Sequence, residues 1–214
     1  KCAAGRYCEE GSTTDQGSGE CAAGRYCKQG STTDQGSGQC AKGYYCEEGS
    51  ATEQGSGKCP AGSYCPPGTT SATEFLCPGG TYHENFQVGE ETQSSCQECP
   101  AGYYNPNSGS NQGQEAACTV CPSGSYCGKG EDQHVLCPSG TYHEYNETGQ
   151  ATRESCTGCS LGYYNPNQGS ADGEQASCTK CPDLTPDTYG EGASSAANTL
   201  RPHPMPICAL GLYF

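Results

Sequence analysis

The chain reads as a small disulfide-rich repeat protein, an elongated tandem array of short β-hairpins and loops with little or no helix. Three observations predict this: twenty cysteines in 214 residues, an almost complete lack of large apolar side chains, and exact internal repetition. Leu, Ile, Val, Phe and Met together number fifteen, and there is no Trp. At about 1.5–3 kcal/mol per fully buried large apolar side chain, so few cannot offset the ordering entropy of the whole chain. The cysteines supply the missing constraint, and a Cys-dense, core-poor chain belongs to an oxidising compartment, extracellular or at the cell surface. Their number is even, so complete pairing is possible.

Repetition sets the boundaries. Cys2, Cys21, Cys40 and Cys59 are each 19 residues apart, as are Cys8, Cys27, Cys46 and Cys65. Residues 1–58 are therefore three 19-residue C-x5-C repeats, and the first two differ at only three positions. From Cys59 a longer period takes over. Residues 59–120 and 121–180 are two copies of one compound unit, CPxGSYC…CPxGTYHE…CxxC…GYYNPN…C. Residues 181–214 hold a degenerate, Pro-rich unit and the start of a further repeat at Cys208.

One signature, C-x-x-G-x-Y, opens ten of these segments and claims ten of the fifteen tyrosines. Its Gly supplies positive φ for a tight turn, and Pro in five copies is expected to pre-set that turn. The Tyr is expected to lay its face over a neighbouring disulfide in place of a core. The intervening segments (STTDQGSG, NPNSGSNQG) have loop composition, and no stretch has helical periodicity.

Two local pairing schemes are open. The first joins Cys77–Cys96, Cys99–Cys118, Cys137–Cys156 and Cys159–Cys178, all 19 apart, and closes Cys2–Cys8, Cys21–Cys27, Cys40–Cys46, Cys59–Cys65 and Cys121–Cys127. Cys181–Cys208 completes it, although Cys208 also opens what reads as another repeat. The second scheme, Cys8–Cys21 and onward, forces bridges inside the C-x-x-C motifs and strands Cys2 and Cys208. Such short bridges are typical of reducible, redox-active sites, which favours the first scheme.

The sharpest chemical rival is zinc. Cys96, Cys99, Cys118 and Cys121 have the spacing of a four-cysteine zinc ribbon, as do Cys156, Cys159, Cys178 and Cys181. The same 19-residue period runs through residues 1–58 without any C-x-x-C, so the cysteines are read as structural and no metal or cofactor is expected. His83 and His143 occupy matching TYHE segments, while His134 and His203 are isolated; no nucleophile elbow, P-loop or H-E-x-x-H motif is present. The chain is read as a non-enzyme.

A net charge of −14 argues against nucleic acid, and no apolar run reaches the ~20 residues of a membrane helix. The sequence opens without a signal peptide, so a secreted form would be a mature or partial chain. Asn146-Glu147-Thr148 is an N-glycosylation sequon in a turn-rich segment, and the Ser/Thr clusters at 12–14, 31–33 and 69–71 are candidate O-glycan sites. Glu9-Glu10, Glu47-Glu48 and Glu90-Glu91 read as solvated acidic faces.

The CPAGYYNPN…C-x-x-CPSGSYC pattern resembles the cysteine-rich repeats of ephrin-receptor-like and TNF-receptor-like type that recur in large surface proteins of protists and algae. Residues 77–180 match best, whereas residues 1–58 lack C-x-x-C and depart from the pattern. The resemblance implies that the Cys of C-P-x-G-T-Y pairs with the Cys closing its own loop, again giving Cys77–Cys96, Cys99–Cys118, Cys137–Cys156 and Cys159–Cys178. It also implies stalks, adhesive surface proteins or filament subunits, the shafts of flagellar hairs (mastigonemes) among them. The expectation is a structural subunit of an extracellular filament, surface coat or flagellar hair, partnered by self-association, other surface proteins and glycans. The alternative is a ligand-binding or adhesive receptor ectodomain.

Overall fold

A computed structural model describes residues 1–84 and 86–181. It contains sixteen two-residue strands in eight antiparallel pairs, one isolated bridge between Ser63 and Leu76, and only short helical turns among the described residues. The chain divides into two compact units. Unit 1 is Lys1–Val120 with the loop Gly128–Gln133, and unit 2 is Cys121–Cys127 with the residues from His134 onward.

Among the described residues each C-x-x-G-x-Y segment opens one module in the same way. Two residues after the cysteine the chain turns, and the N–H beyond the Gly bonds back to the residue following the cysteine. Examples are Arg6 N–H to the Ala3 carbonyl (3.3 Å) and Thr81 N–H to the Pro78 carbonyl (3.2 Å). The Gly is third in this four-residue turn with φ of 86° at Gly5 and 78° at Gly80, as a type II turn requires. Pro therefore stands first in the turn, not second. It contributes its carbonyl as acceptor and does not fix the turn's φ angles, which corrects the role expected for it.

The short strand after the turn pairs with a return strand that ends at the next module's cysteine. In unit 1, β1 (Arg6–Tyr7) pairs with β2 (Gly19–Glu20), with Tyr7 opposite Gly19; Tyr26 faces Gly38 and Tyr45 faces Gly57 in the same register. A Cβ added to Gly19 would meet the Tyr7 ring at 3.0 Å, and one added to Gly17 would run into both sulfurs of Cys2–Cys8. In these three modules the ring thus rests on a cross-strand glycine, and the glycine before it sits on the disulfide. The expected aromatic cover of a disulfide occurs in the Cys77 module. There Tyr82 is buried in one cluster with Ala117 and the Cys99–Cys118 cysteines of the following module.

Successive modules are clamped by backbone hydrogen bonds of fixed pattern. The turn Gly donates to the carbonyl six residues into the next module: Gly5 to Cys27 (2.8 Å), Gly24 to Cys46 (2.7 Å) and Gly43 to Cys65 (2.8 Å). Cys8, Cys27 and Cys46 N–H groups donate to Ser31, Ser50 and Thr69 carbonyls, and Gly30, Gly49 and Gly68 N–H groups return bonds to the Cys2, Cys21 and Cys40 carbonyls. The pattern crosses residue 58 unchanged, so the boundary between 19-residue and compound repeats is no structural break. In unit 2 it joins the Cys121 and Cys137 modules through Cys127 N–H to the Gln150 carbonyl and Gly149 N–H to the Cys121 carbonyl.

The turn glycines also touch the module after next. A Cβ on Gly5, Gly24, Gly43 or Gly62 would overlap the carbonyl of Gly49, Gly68, Gly89 or Gly109 respectively. In unit 2 the same holds for Gly124 against Gly169. At these five positions the signature Gly is therefore required twice over, by its positive φ and by the close passage of another backbone, whereas at Gly140 and Gly162 nothing lies within 4 Å of a Cβ and positive φ alone requires it.

The helical turns all lie inside 19-residue disulfide loops. The 3-10 turns Gln93–Ser95 and Arg153–Ser155 precede Cys96 and Cys156, and α1 (Gln114–Ala117) and α2 (Gly173–Ser177) precede Cys118 and Cys178.

Two substitutions test this account. Gly24→Ala and Gly11→Ala both place a side chain at positive φ, which costs about 1–2 kcal/mol. Nothing lies within 4 Å of a Cβ on Gly11, whereas at Gly24 it overlaps the Gly68 backbone, so Gly24→Ala is expected to lower the thermal midpoint much further. Equal losses would mean that the close passage carries no energy. The Ser177 hydroxyl is buried without a partner among the described residues, where the matching residue of unit 1 is Ala117. Ser177→Ala is expected to raise stability by about 1 kcal/mol, read from the same thermal unfolding.

Candidate functional site

Nine disulfides are present among the described residues: Cys2–Cys8, Cys21–Cys27, Cys40–Cys46, Cys59–Cys65, Cys77–Cys96, Cys99–Cys118, Cys121–Cys127, Cys137–Cys156 and Cys159–Cys178. Cys208, and with it the expected Cys181–Cys208 bridge, and His203 lie outside the described residues. The four cysteines of the first zinc-ribbon spacing fall into three separate bridges, with Cys96 to Cys77, Cys99 to Cys118 and Cys121 to Cys127. Each sulfur is consumed in a disulfide and is not available as a zinc thiolate.

The sixth residue after each opening cysteine decides how the module is closed. Where it is Cys, as at Cys8 or Cys65, it bonds the opening cysteine directly. Where it is His83, Asn105, His143 or Asn165, the opening cysteine bonds a partner 19 residues on. All four of these side chains are buried, with exposures of 2% or less.

His83 and His143 carry the chain's densest chemistry. Gly62 N–H donates to His83 Nδ1 at 3.0 Å, and Gly124 N–H donates to His143 Nδ1 at 3.0 Å. These are the same turn glycines that elsewhere bond a carbonyl of the next module, so the imidazole takes over the acceptor role. With Nδ1 an acceptor, the proton of the neutral ring is on Nε2. His83 Nε2 lies 3.1 Å from Ser95 Oγ, which itself donates to the Thr92 carbonyl at 2.8 Å. In unit 2, His143 Nε2 lies 3.2 Å from Ser155 Oγ, which donates to the Thr152 carbonyl at 2.7 Å. The result is a directed relay from glycine N–H through imidazole and serine to a carbonyl, with every member satisfied.

Cys77, His83 and Cys96 bring their ligand-type atoms within 4.8 Å of one another, as do Cys137, His143 and Cys156. The geometry does not suit a metal. Both sulfurs of each cluster are consumed in a disulfide, and the imidazole lone pair at Nδ1 is taken by a glycine N–H. A metal at Nε2 needs the proton on Nδ1, where it would face that N–H donor.

Asn105 and Asn165 close their junctions with amides. Asn105 Nδ2 donates to the Thr81 carbonyl (2.7 Å) and Ser110 Oγ (2.9 Å), and its Oδ1 accepts from Asn107 N–H (3.1 Å). Asn165 repeats this with Thr141, Ser170 and Asn167.

The remaining candidates scatter. Asn146 is exposed on a loop tip with φ of 60°, at the place occupied in unit 1 by Phe86 with φ of 62°. His134 is exposed. Glu9, Glu10, Glu47 and Glu48 are exposed, and Glu91 pairs with Lys42 at 2.7 Å. Thr69 is buried and donates its hydroxyl to the Pro66 carbonyl at 2.7 Å, which removes it from the candidate O-glycan sites.

The histidine relay was not anticipated from sequence. Two signals carry it: His stands where other modules have Cys, and Ser precedes the loop-closing cysteine in both copies (Ser95-Cys96, Ser155-Cys156). No family model matches the chain, and no curated protein matches it significantly.

Burial lowers the pKa of both histidines below the ordinary 6.5, against the smaller opposing pull of Glu90 on His83 and Glu147 on His143. A depressed folded-state pKa means that the unfolded chain binds the proton first. The relays' contribution to stability is therefore complete above pH 6.5 and is lost as pH falls toward the folded-state value. Amide exchange at Gly62 and Gly124 is expected to accelerate selectively below pH 6.5, beyond the general trend of the other junction amides. In His83→Asn and His143→Asn the selective acceleration is expected to disappear.

Proposed function

We propose that the chain is a structural subunit of an extracellular filament, surface coat or flagellar hair, in which disulfide-closed modules act as a repeating scaffold. The observation that carries this reading is the junction itself. One backbone clamp recurs from module to module within each unit, so near-identical surfaces return at regular sequence intervals. The buried His83, His143, Asn105 and Asn165 side chains bond across those junctions and hold modules together. The many disulfides support an oxidising, extracellular setting. Among the described residues no helix is long and apolar enough to cross a membrane. The resemblance of residues 77–180 to surface-protein repeats supports the same setting, and the exposed Asn146 tip suits a solvated N-glycan.

An adhesive or receptor ectodomain is the second reading. One observation favours it: Phe86, 87% exposed, is held at positive φ on a loop tip beside the exposed Val88.

Electron microscopy of purified native material separates the two. Regular fibres support the scaffold, and dispersed monomers binding a defined ligand sink it. Alkylation followed by mass measurement tests the setting: no thiol is expected to react natively, and all twenty after reduction in denaturant. Retained zinc or native thiols would overturn it.

A further inference from the structure

The nine bridges differ in how they would respond to an attacking thiolate, and two features decide the difference. The first is partial exposure of one of the two cysteines. Most bridged cysteines are buried, but Cys8, Cys156 and Cys159 are only half-buried. The second is a hydrogen-bond donor aimed at the other sulfur, because exchange requires that sulfur to leave as a thiolate and a low-pKa leaving thiol departs faster.

Only one bridge combines them. In Cys137–Cys156, Cys156 is half-buried, whereas Cys137 is fully buried with His143 Nε2 at 3.2 Å from its sulfur. The tautomer is fixed by Gly124 N–H at Nδ1, so Nε2 presents a proton to that sulfur. The Ser155 hydroxyl, also 3.2 Å away, donates to the Thr152 carbonyl and so accepts from Nε2 as well, and the single Nε2 proton is shared between Ser155 Oγ and Cys137 Sγ.

The other bridges lack one element. Cys2–Cys8 and Cys159–Cys178 each have a half-buried cysteine, but Cys2–Cys8 has Cys at the position of the histidine, and Asn165 spends both amide donors on Thr141 and Ser170. Cys77–Cys96 has its histidine, yet both of its cysteines are buried and His83 Nε2 bonds Ser95 without a hydrogen bond to either sulfur.

We propose that Cys156 is a thiol-exchange site, at which an external thiolate forms a mixed disulfide and expels Cys137 as a thiolate held by the His143 N–H. The balance is complete: the incoming sulfur bonds Cys156 Sγ, the Cys137–Cys156 bond breaks, and its electron pair stays on Cys137. No net oxidation occurs, because the attacking thiolate is oxidised to a disulfide as Cys137 is reduced. The ligand class is a thiol, either a small molecule or a cysteine of another protein chain. The neighbouring bridge Cys159–Cys178 is untouched by the reaction and keeps the following module closed.

Limited treatment of the intact chain with reduced glutathione, acid quenching, alkylation and peptide mapping tests this. The first adduct is expected on Cys156, with Cys137 the first alkylated thiol. His143→Asn places at this position the residue that Asn105 and Asn165 already show to be compatible with a folded module. It is expected to slow this step about fivefold while leaving exchange at Cys159–Cys178 unchanged. His143→Gln serves as a second variant, and retention of the other bridges checks folding of both. Adducts spread evenly over Cys8, Cys156 and Cys159, attack at Cys137, or unchanged rates in both folded variants would overturn the assignment. A parallel reaction with a cysteine-containing peptide distinguishes the sources. Adduct formation by glutathione alone marks a small-thiol site, and adduct formation by both extends it to protein thiols.

Discussion

The hydrogen bond from a turn glycine to the next module is the contact on which the remaining organisation rests. It forms where the chain takes positive φ, and at Gly5, Gly24, Gly43, Gly62 and Gly124 a second backbone passes so close to the glycine that no Cβ could intervene. Disulfides hold each module's turn in place, but they are local, and none of the nine joins one module's turn to the next module's turn across a clamp of the 19-residue array. Cohesion between modules is a matter of main chain against main chain. This explains how a protein with fifteen large apolar residues can be ordered at all.

The clamp also rationalises the polar interior. A buried acceptor must meet each glycine N–H, since leaving it unpaired costs about 1–3 kcal/mol. In most junctions a carbonyl serves. At Gly62 and Gly124 an imidazole serves instead, and its second nitrogen then needs a partner, which Ser95 and Ser155 provide. Cys, His and Asn are thus three solutions to one positional problem, and the choice among them sets whether the opening cysteine is bridged over six residues or nineteen.

Much of the local fold was legible from residue spacing. The Cys-x-x-Gly-x-Tyr signature carries the turn and the strand, and the recurrent separations of 6 and 19 residues are those the structure bridges. Contacts between modules were not legible, because they are made by backbone atoms that every residue possesses. Pro78 and Tyr7 illustrate the limit: composition identified a turn and an aromatic contact, but only coordinates place the proline first in its turn and the ring on Gly19. His83 was visible as a repeated residue, yet its role required seeing that it aligns with Cys65 of the previous module.

The stretch between the sixth residue of a module and its next clamp glycine varies freely. Cys27 and Gly30 are three residues apart, Asn105 and Gly109 four, and His83 and Gly89 six, while the bonds made by these glycines are the same kind throughout. Length and sequence in that stretch are decoupled from assembly of the array. The loops at 86–88 and 144–148 are therefore natural display positions, each able to carry a new peptide sequence without disturbing the framework of its own unit.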